Sequence, residues 1–176
     1  MIKCVMMGAI GKVKGYDRAI ALIEKNPSIH LLIAGPLWDS AEQNTLDYLI
    51  EKEKKFPNLK LEVKVLNEKD FETYSKKADI ILILHYMVTA SGVFSQTVGS
   101  MKPVITWNIP FFKEYEERYG ACITVNSIEE LEKKILEIYK SKKIREKLKK
   151  GAKKLLDDCS WNNTAKKHWN LYKSLN

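Results

Sequence analysis

The chain contains six short strand-like runs, and a stretch with the spacing of an amphipathic helix follows each of them. The runs span residues 2–7, 29–34, 59–66, 79–84, 104–107 and 121–125. Within the fourth run, residues 80–84 are continuously apolar, which is typical of a strand buried on both faces of a sheet. Such alternation is typical of βαβ units. It predicts an α/β fold: one Rossmann-like, doubly wound domain with a six-stranded, mostly parallel sheet and helices on both faces.

The length of 176 residues suits one domain with a sizeable core. We therefore predict a single domain over 1–176 that ends in a helix at about 160–174, begun by a Ser or Asn cap. Trp161, Trp169 and Tyr172 have helical spacing there. We expect them to pack back onto the domain, and the alternative is docking onto a second domain or subunit.

Two other features bear on location. Met1 leads directly into a strand, and the longest apolar run, 80–84, is far too short to cross a bilayer. We therefore expect a cytoplasmic protein.

Cys4, Cys122 and Cys159 lack the spacing of a zinc site or a disulfide framework, so all three are interpreted as small core residues.

The net charge of +8 is concentrated between residues 133 and 154. Apolar residues keep a helical spacing in this segment, so the lysines are expected to form a solvated helix face. No aromatic residues alternate with them as a stacking platform for bases would require, which argues against nucleic acid as a partner. Peripheral contact with anionic headgroups at the inner face of a membrane stays an alternative.

A glycine-rich loop follows the first run, with Gly8, Gly11 and Gly15 interleaved with Lys12 and Lys14. Glycines allow a close approach of the backbone, a following helix start favours negative charge, and a lysine adds a point charge. The loop is therefore a candidate phosphate site. The competing interpretation is a purely structural strand-to-helix turn.

A second helix start is predicted near Ser91 and Gly92. In a doubly wound sheet the ligand lies beyond the carboxyl ends of the strands, where the strand order reverses. Two helix N-termini facing one crevice would suit a diphosphate. His85, in the preceding loop, is either a general base or, more commonly for such a residue, a hydrogen-bonded structural histidine.

Helix starts of the capping-box form are predicted at two further places. They pair Ser40 with Gln43 and Ser127 with Glu130. We expect their role to be structural.

The segments MGAIGKVKGYDRAIAL, IHLLIAG, ADIILIL, SGVFSQTVGSMKPVIT and SIEELEKKILEI, then SW before a terminal helix, occur in this order. Together they resemble the C-terminal domain of family 4 (group 1) glycosyltransferases, over essentially the whole chain. The resemblance implies half of a GT-B fold, the half that binds the nucleotide-sugar. It also implies donor contacts: the diphosphate at Gly8 and Lys14, the base at Leu66 and Asn67, and phosphate or sugar at Ser91, Gly92 and Val93.

The chain departs from that family at several positions. Ala9 stands where the family usually has an arginine, and Lys12 is a candidate substitute. The two customary glutamates fall on Val88 and Gln96. Gln96 could still hydrogen-bond a ribose hydroxyl, but Val88 cannot replace a carboxylate. The glycine-rich turn expected after PVIT is replaced by residues 107–110, WNIP.

The resulting prediction is the nucleotide-sugar-binding half of a retaining, metal-independent GT-B glycosyltransferase. It would take a UDP- or GDP-linked sugar as substrate and need no cofactor. The acceptor half would come from a partner chain or a homo-oligomer. The alternative is a non-catalytic nucleotide- or sugar-binding subunit with a degenerate active site, and no catalytic residue is assigned.

Overall fold

The computed structural model describes residues 1–175 and contains one sheet of six parallel strands. The strands are β1 (Ile2–Met7), β2 (Ile29–Gly35), β3 (Leu59–Val63), β4 (Ile80–Ile83), β5 (Val104–Trp107) and β6 (Ile123–Val125). Their spatial order is β3-β2-β1-β4-β5-β6. The predicted α/β architecture is therefore confirmed. The order reverses between β1 and β4, so a ligand crevice is expected above their carboxyl ends.

Within residues 1–175, eight α-helices connect or follow the strands. They are α1 (Tyr16–Lys25), α2 (Gln43–Lys55), α3 (Glu68–Lys77), α4 (Gly92–Gly99), α5 (Pro110–Tyr119), α6 (Ile128–Lys140), α7 (Lys142–Asp158) and α8 (Trp161–Ser174). The basic segment at 133–154 is thus divided between two helices, which meet at Ser141. The Ser141 side chain caps α7 by accepting a hydrogen bond from the Ile144 amide.

Two apolar cores lie on opposite faces of the sheet, and β4 contributes to both. Ile80 and Leu82 belong to the core beneath α1 and α6, whereas Ile81 and Ile83 belong to the core beneath α4 and α5. All four side chains are at most 2% exposed. The continuous apolar run of β4 is explained by this burial on both faces.

The helix caps agree with the sequence only in part. Ser127 Oγ accepts from the Glu130 amide at 3.1 Å, but the Glu130 carboxylate bonds the amide of Asn126, so the reciprocal half of the predicted box does not form. The box predicted at Ser40 is wrong. Asp39 instead begins a short 3₁₀ turn by accepting from the Ala41 amide at 2.8 Å, and α2 starts after that turn without a side-chain cap.

Two of the three cysteines lie in the core as predicted. Burial raises the pKa of the Cys4 and Cys122 thiols to about 12. Cys159 is exposed, so its assignment to the core was wrong. It occupies the polar junction where α7 ends and α8 begins, and no apolar layer covers that junction.

The prediction that the aromatic residues of α8 pack back onto the domain is also wrong. No residue of α8 is buried; Trp161 is 90% exposed, Trp169 60% and Tyr172 58%. Polar contacts hold the helix instead, including an ion pair of 2.7 Å between Lys167 Nζ and Asp158 Oδ1. Helical spacing fixed the side of α8 on which these side chains lie, but nothing in the described chain covers that side.

Candidate functional site

The glycine-rich loop begins at Gly8, directly after β1, with a φ of +113° that favours glycine. Its amide donates to Ala34 O at 3.0 Å, so the loop starts against the end of β2. Gly35 lies beneath it: a Cβ there would fall 1.8 Å from Gly8 O. The two glycines therefore allow the backbones of β1 and β2 to meet closely at the edge of the sheet.

The same loop then leads into α1 across the end of β4. Lys12–Lys14 form a 3₁₀ turn, and Gly15 adopts a left-handed conformation with a φ of +71°. A Cβ at Gly15 would fall 2.0 Å from Leu84 O, and the Tyr86 amide donates to Val13 O at 2.9 Å. The loops after β1 and β4 are thus joined at the predicted switch point.

The N-terminus of α4 lies beside Gly8. Ser91 caps the helix by accepting from the Phe94 amide at 3.1 Å and is itself buried. A Cβ on Gly8 would lie only 2.7 Å from Val93 Cγ2, whereas a Cβ on Gly92 would meet nothing within 4 Å. The structure therefore brings together Gly8 and the start of α4, with Gly92 facing open space.

Lys14, at the end of the 3₁₀ turn, and His85, in the loop after β4, lie close together, and we call this pair the crevice floor. Burial lowers the pKa of Lys14. Burial and the nearby Lys14 charge together lower the pKa of His85 to about 4, so the imidazole is neutral at neutral pH. His85 is 5% exposed, and its ring lies 6.1 Å from that of Phe112.

No hydrogen bond to the His85 ring occurs in the part of the chain that the structure describes. Among the described residues, Thr106 Oγ1 is the only side-chain N or O atom that is both fully enclosed and without a hydrogen-bond partner. The His85 ring nitrogens also have no partner but are not in that class, so they retain contact with solvent. The hydrogen bond expected of a structural histidine is therefore absent among the described residues, although the ring is buried. A neutral ring with an unpaired nitrogen can still bind a ligand or relay a proton.

Lys12 is placed differently from Lys14. Its side chain is exposed, and its amide donates to Glu42 Oε2 at 2.8 Å. That carboxylate also accepts from Thr45 Oγ1 at 2.8 Å. An internal anion therefore already occupies the amide at the start of the 3₁₀ turn, which leaves Gly8, Lys14 and the start of α4 as the open part of the site.

The residues expected at the base and ribose belong to the turn before α3 and to α4. Leu66 packs against the core, and Asn67 and Asp70 form a reciprocal capping box that begins α3, a box the sequence reading missed. Gln96 is exposed and lines a groove of about 470 Å³ between α3 and α4, together with Glu68 and Phe71. Gln96 therefore faces the start of α3. Val88, at the other glutamate position, is half-buried among apolar residues.

The sequence reading missed Arg18 entirely. Its guanidinium carbon lies 3.7 Å from the ring centre of Tyr86 and 3.8 Å from that of Trp107, and it donates to Leu84 O at 2.8 Å. This stacked arrangement ties the ends of β4 and β5 to α1. Arginine on the first turn of a helix ordinarily indicates a solvated side chain. The available signal was an aromatic residue near the carboxyl end of each of two buried strands, Tyr86 after β4 and Trp107 as the last residue of β5.

No group of three or more His, Cys, Asp or Glu side chains suited to a metal ion occurs within residues 1–175. Over the same residues, no helix is both long and apolar enough to span a membrane.

A family model fits this arrangement. The model of the glycosyl transferases group 1 family matches residues 2–155. The chain belongs to this family. No curated sequence matches the chain.

Solved structures of GT-B glycosyltransferases share the fold at low sequence identity. Anabaena Alr3699/HepE in complex with UDP superimposes with a TM-score of 0.80 at 12% identity, over 99% of this chain and 48% of that one. Sucrose-phosphate synthase from Thermosynechococcus elongatus gives 0.78 at 17% identity, over 99% and 45%. The C-terminal domain of LpcC, a group 1 protein of Francisella tularensis, gives 0.68 at 16% identity, over 90% and 85%.

The coverage shows how this group 1 domain relates to the larger enzymes. The chain spans about half the length of HepE and of the synthase, but most of the isolated LpcC C-terminal domain. In extent and fold it is therefore similar to the isolated C-terminal domain of LpcC and to about half of each of the two larger proteins.

Proposed function

We propose that this group 1 domain binds a UDP- or GDP-linked sugar for a retaining glycosyl transfer. The donor diphosphate would lie over Gly8 and Lys14 and against Ser91, Gly92 and Val93. The observation that carries the proposal is that a Cβ on Gly8 would lie 2.7 Å from Val93 Cγ2, so the glycine-rich loop and the start of α4 are close neighbours. The UDP complex of HepE, which has the same fold, supports it.

The electrostatics of the crevice suit a departing diphosphate. Lys14 supplies a positive charge, and the N-termini of α1 and α4 each favour a nearby anion by several tenths to about 1 kcal/mol. Groups fixed in advance around a developing negative charge lower the barrier to its departure. We therefore propose transfer without a metal ion or another cofactor.

We propose that the nucleoside lies along the edge towards α3. The turn at Leu66 and Asn67 would contact the base, and the Gln96 amide would hydrogen-bond a ribose hydroxyl. Because the Asn67 carbonyl oxygen is occupied by the α3 cap, its contacts to the base would come from the side-chain NH₂ group. Lys12, with its exposed side chain, would approach the outer phosphate.

We propose that the acceptor-binding half is supplied by another chain or a second copy of this one. The exposed side of α8 is the candidate docking surface, with Trp161, Trp169 and Tyr172 along one stripe. Burying such aromatic side chains at an interface would contribute about 1.5–3 kcal/mol each. The sequence-based expectation of a cytoplasmic protein remains part of the proposal.

The alternative, a non-catalytic nucleotide- or sugar-binding subunit, rests on one observation. Val88 stands among apolar neighbours where the family places a carboxylate, so one polar contact to the donor is lost. Both functions require donor binding, and they differ in whether transfer follows.

Calorimetric titration of the chain with UDP, GDP, ADP and their sugars, in the presence of EDTA, tests donor binding. We expect UDP or GDP to bind, and Lys14→Ala to weaken binding by roughly tenfold to a hundredfold, because a charge-assisted hydrogen bond contributes about 1.5–3 kcal/mol. Lys54→Ala, which removes an exposed lysine of α2, is the matched control and should bind normally. Equal affinities of the two variants would contradict the site, and binding restored only by magnesium would contradict metal independence.

A radiolabelled transfer assay with a broad acceptor panel separates the two functions. The isolated chain should bind donor without multiple-turnover transfer, because in water a lysine about 4 Å from a unit phosphate charge contributes only about 1 kcal/mol, against about 4 in a shielded cleft. Sustained transfer by a verified monomer would contradict the need for a second half. Transfer only after a partner is added would support the enzyme over the binding subunit.

A further inference from the structure

The net charge of the protein is confined to its last two helices. Between Lys142 and Ser174 there are 11 basic and three acidic residues, which gives the +8 of the whole chain. The residues before Lys142 contain 19 of each sign and are neutral in sum. The excess of positive charge therefore belongs to α7 and α8.

Most of this charge lies on the outer face of α7. Seven lysines of this helix are exposed: Lys142, Lys143, Lys147, Lys149, Lys150, Lys153 and Lys154. None of them forms an ion pair within the described part of the chain. Only two carboxylates, those of Glu146 and Asp157, are exposed on the same helix. We call these seven side chains the lysine face.

The inner face of α7 holds the helix rigidly in place. Leu148, Ala152 and Leu155 are buried in the domain. Gly151 lies so close to the preceding turn that a Cβ there would fall 2.1 Å from Gly120 O. Since 17 residues of helix extend for about 25 Å, the lysine face is a fixed row of charges along the outside of the domain.

We propose that the lysine face binds the surface of a bilayer that contains anionic lipids. A row of lysines without ion pairs matches the diffuse negative potential of such a surface, and each lysine near it strengthens binding by roughly fivefold. This surface is separate from the nucleotide crevice, and the proposal does not depend on donor binding.

The composition of α7 favours lipid over nucleic acid. The helix contains no aromatic residue on which a base could stack. Its one arginine, Arg145, is turned inward, where it donates to Ile138 O at 2.7 Å. Because lysine is a point charge without the planar fork of arginine, the lysine face is suited to an extended charged surface rather than to individual phosphates or bases.

Co-sedimentation of the chain with vesicles tests the proposal. We expect the chain to bind vesicles of phosphatidylcholine with roughly 30% phosphatidylglycerol, and not to bind vesicles of phosphatidylcholine alone. The binding should weaken steeply as the salt concentration rises. The test variant changes Lys142, Lys143, Lys150 and Lys153 to Gln. The matched control changes Lys3, Lys54, Lys69 and Lys77 to Gln, all of them exposed residues outside α7. Each variant loses four positive charges, so both have a net charge of +4 where the unchanged chain has +8.

The test variant should lose at least tenfold in vesicle affinity while its UDP or GDP affinity and its unfolding temperature stay unchanged. The control should lose less vesicle affinity than the test variant, because it lowers the net charge equally but leaves the lysine face intact. Equal losses in the two variants would overturn the proposal, as would no binding to anionic vesicles. Tight binding to a short DNA duplex that the test variant alone loses, without vesicle binding, would replace lipid with nucleic acid as the partner.

Discussion

The buried histidine beside Lys14 should make the stability of the domain depend on pH in a way that can be calculated. The pKa of His85 is about 4 in the folded protein and 6.5 for an ordinary histidine. The folded state therefore binds fewer protons than the unfolded state between these values. Stability is complete above about pH 6.5 and is lost as the pH falls towards 4.

At pH 5 this histidine alone should lower the free energy of unfolding by about 2 kcal/mol relative to pH 7.5. In His85→Asn that contribution disappears, while the carboxylates of the protein still titrate in both proteins. Urea unfolding of wild type and variant at the two pH values gives the difference directly. The pH-dependent losses of the two proteins should differ by about 2 kcal/mol, whatever the stability of the variant at pH 7.5.

Lys14→Ala provides an independent check on the geometry. Removing the lysine charge should raise the pKa of His85 towards its ordinary value, so this variant should lose less stability on acidification than wild type. Identical pH dependence in wild type and His85→Asn would show that the imidazole is not buried as described, and the assignment of the crevice floor would be wrong.

Three further results follow from the packing. Gly35→Ala should lower the free energy of unfolding by about 1–3 kcal/mol or more, because its Cβ would overlap Gly8 O. Gly92→Ala is the control in the same thermal unfolding assay and should fold normally, because its Cβ would lie in open space. Exposed Cys159 should react with a thiol reagent in the folded protein while the two buried cysteines stay unlabelled, and a count of three labels before unfolding would contradict their burial. Trp169→Ala should change stability by at most about 0.5 kcal/mol, since the side chain is 60% exposed. A larger loss in urea unfolding would show that α8 packs onto the domain.

The periodic features of the sequence predicted the fold well. A strand buried on both faces requires apolar residues throughout, and a close approach of two backbones requires glycine. Both requirements can be recognised directly in the sequence. The six strands, their parallel arrangement and the two helix starts at the switch point could all be inferred in this way. Ser91 as a cap followed from its hydroxyl and its place before a helix.

The remaining site features depend on contacts between residues far apart in the chain. Arg18 on α1 meets Tyr86, after β4, and Trp107, at the end of β5. Its position on α1 alone therefore predicts a solvated side chain. Glu42 reaches the amide of Lys12 only because a 3₁₀ turn precedes α2. Neither contact can be predicted from the residues that neighbour Arg18 or Glu42 in the sequence.

The exposed side of α8 was misjudged for a related reason. Helical spacing of aromatic residues predicts that one side will be covered, but it does not identify what covers it. In the described chain that side is open, and a second GT-B half remains the proposed partner.

A crystal structure of this domain with UDP or GDP tests the central claim most directly. The account predicts the diphosphate above the carboxyl ends of β1 and β4, within hydrogen-bond distance of Lys14 Nζ and of the backbone at Gly8 and at the start of α4. A diphosphate bound elsewhere, such as in the groove between α3 and α4 alone or at the amino ends of the strands, would contradict it.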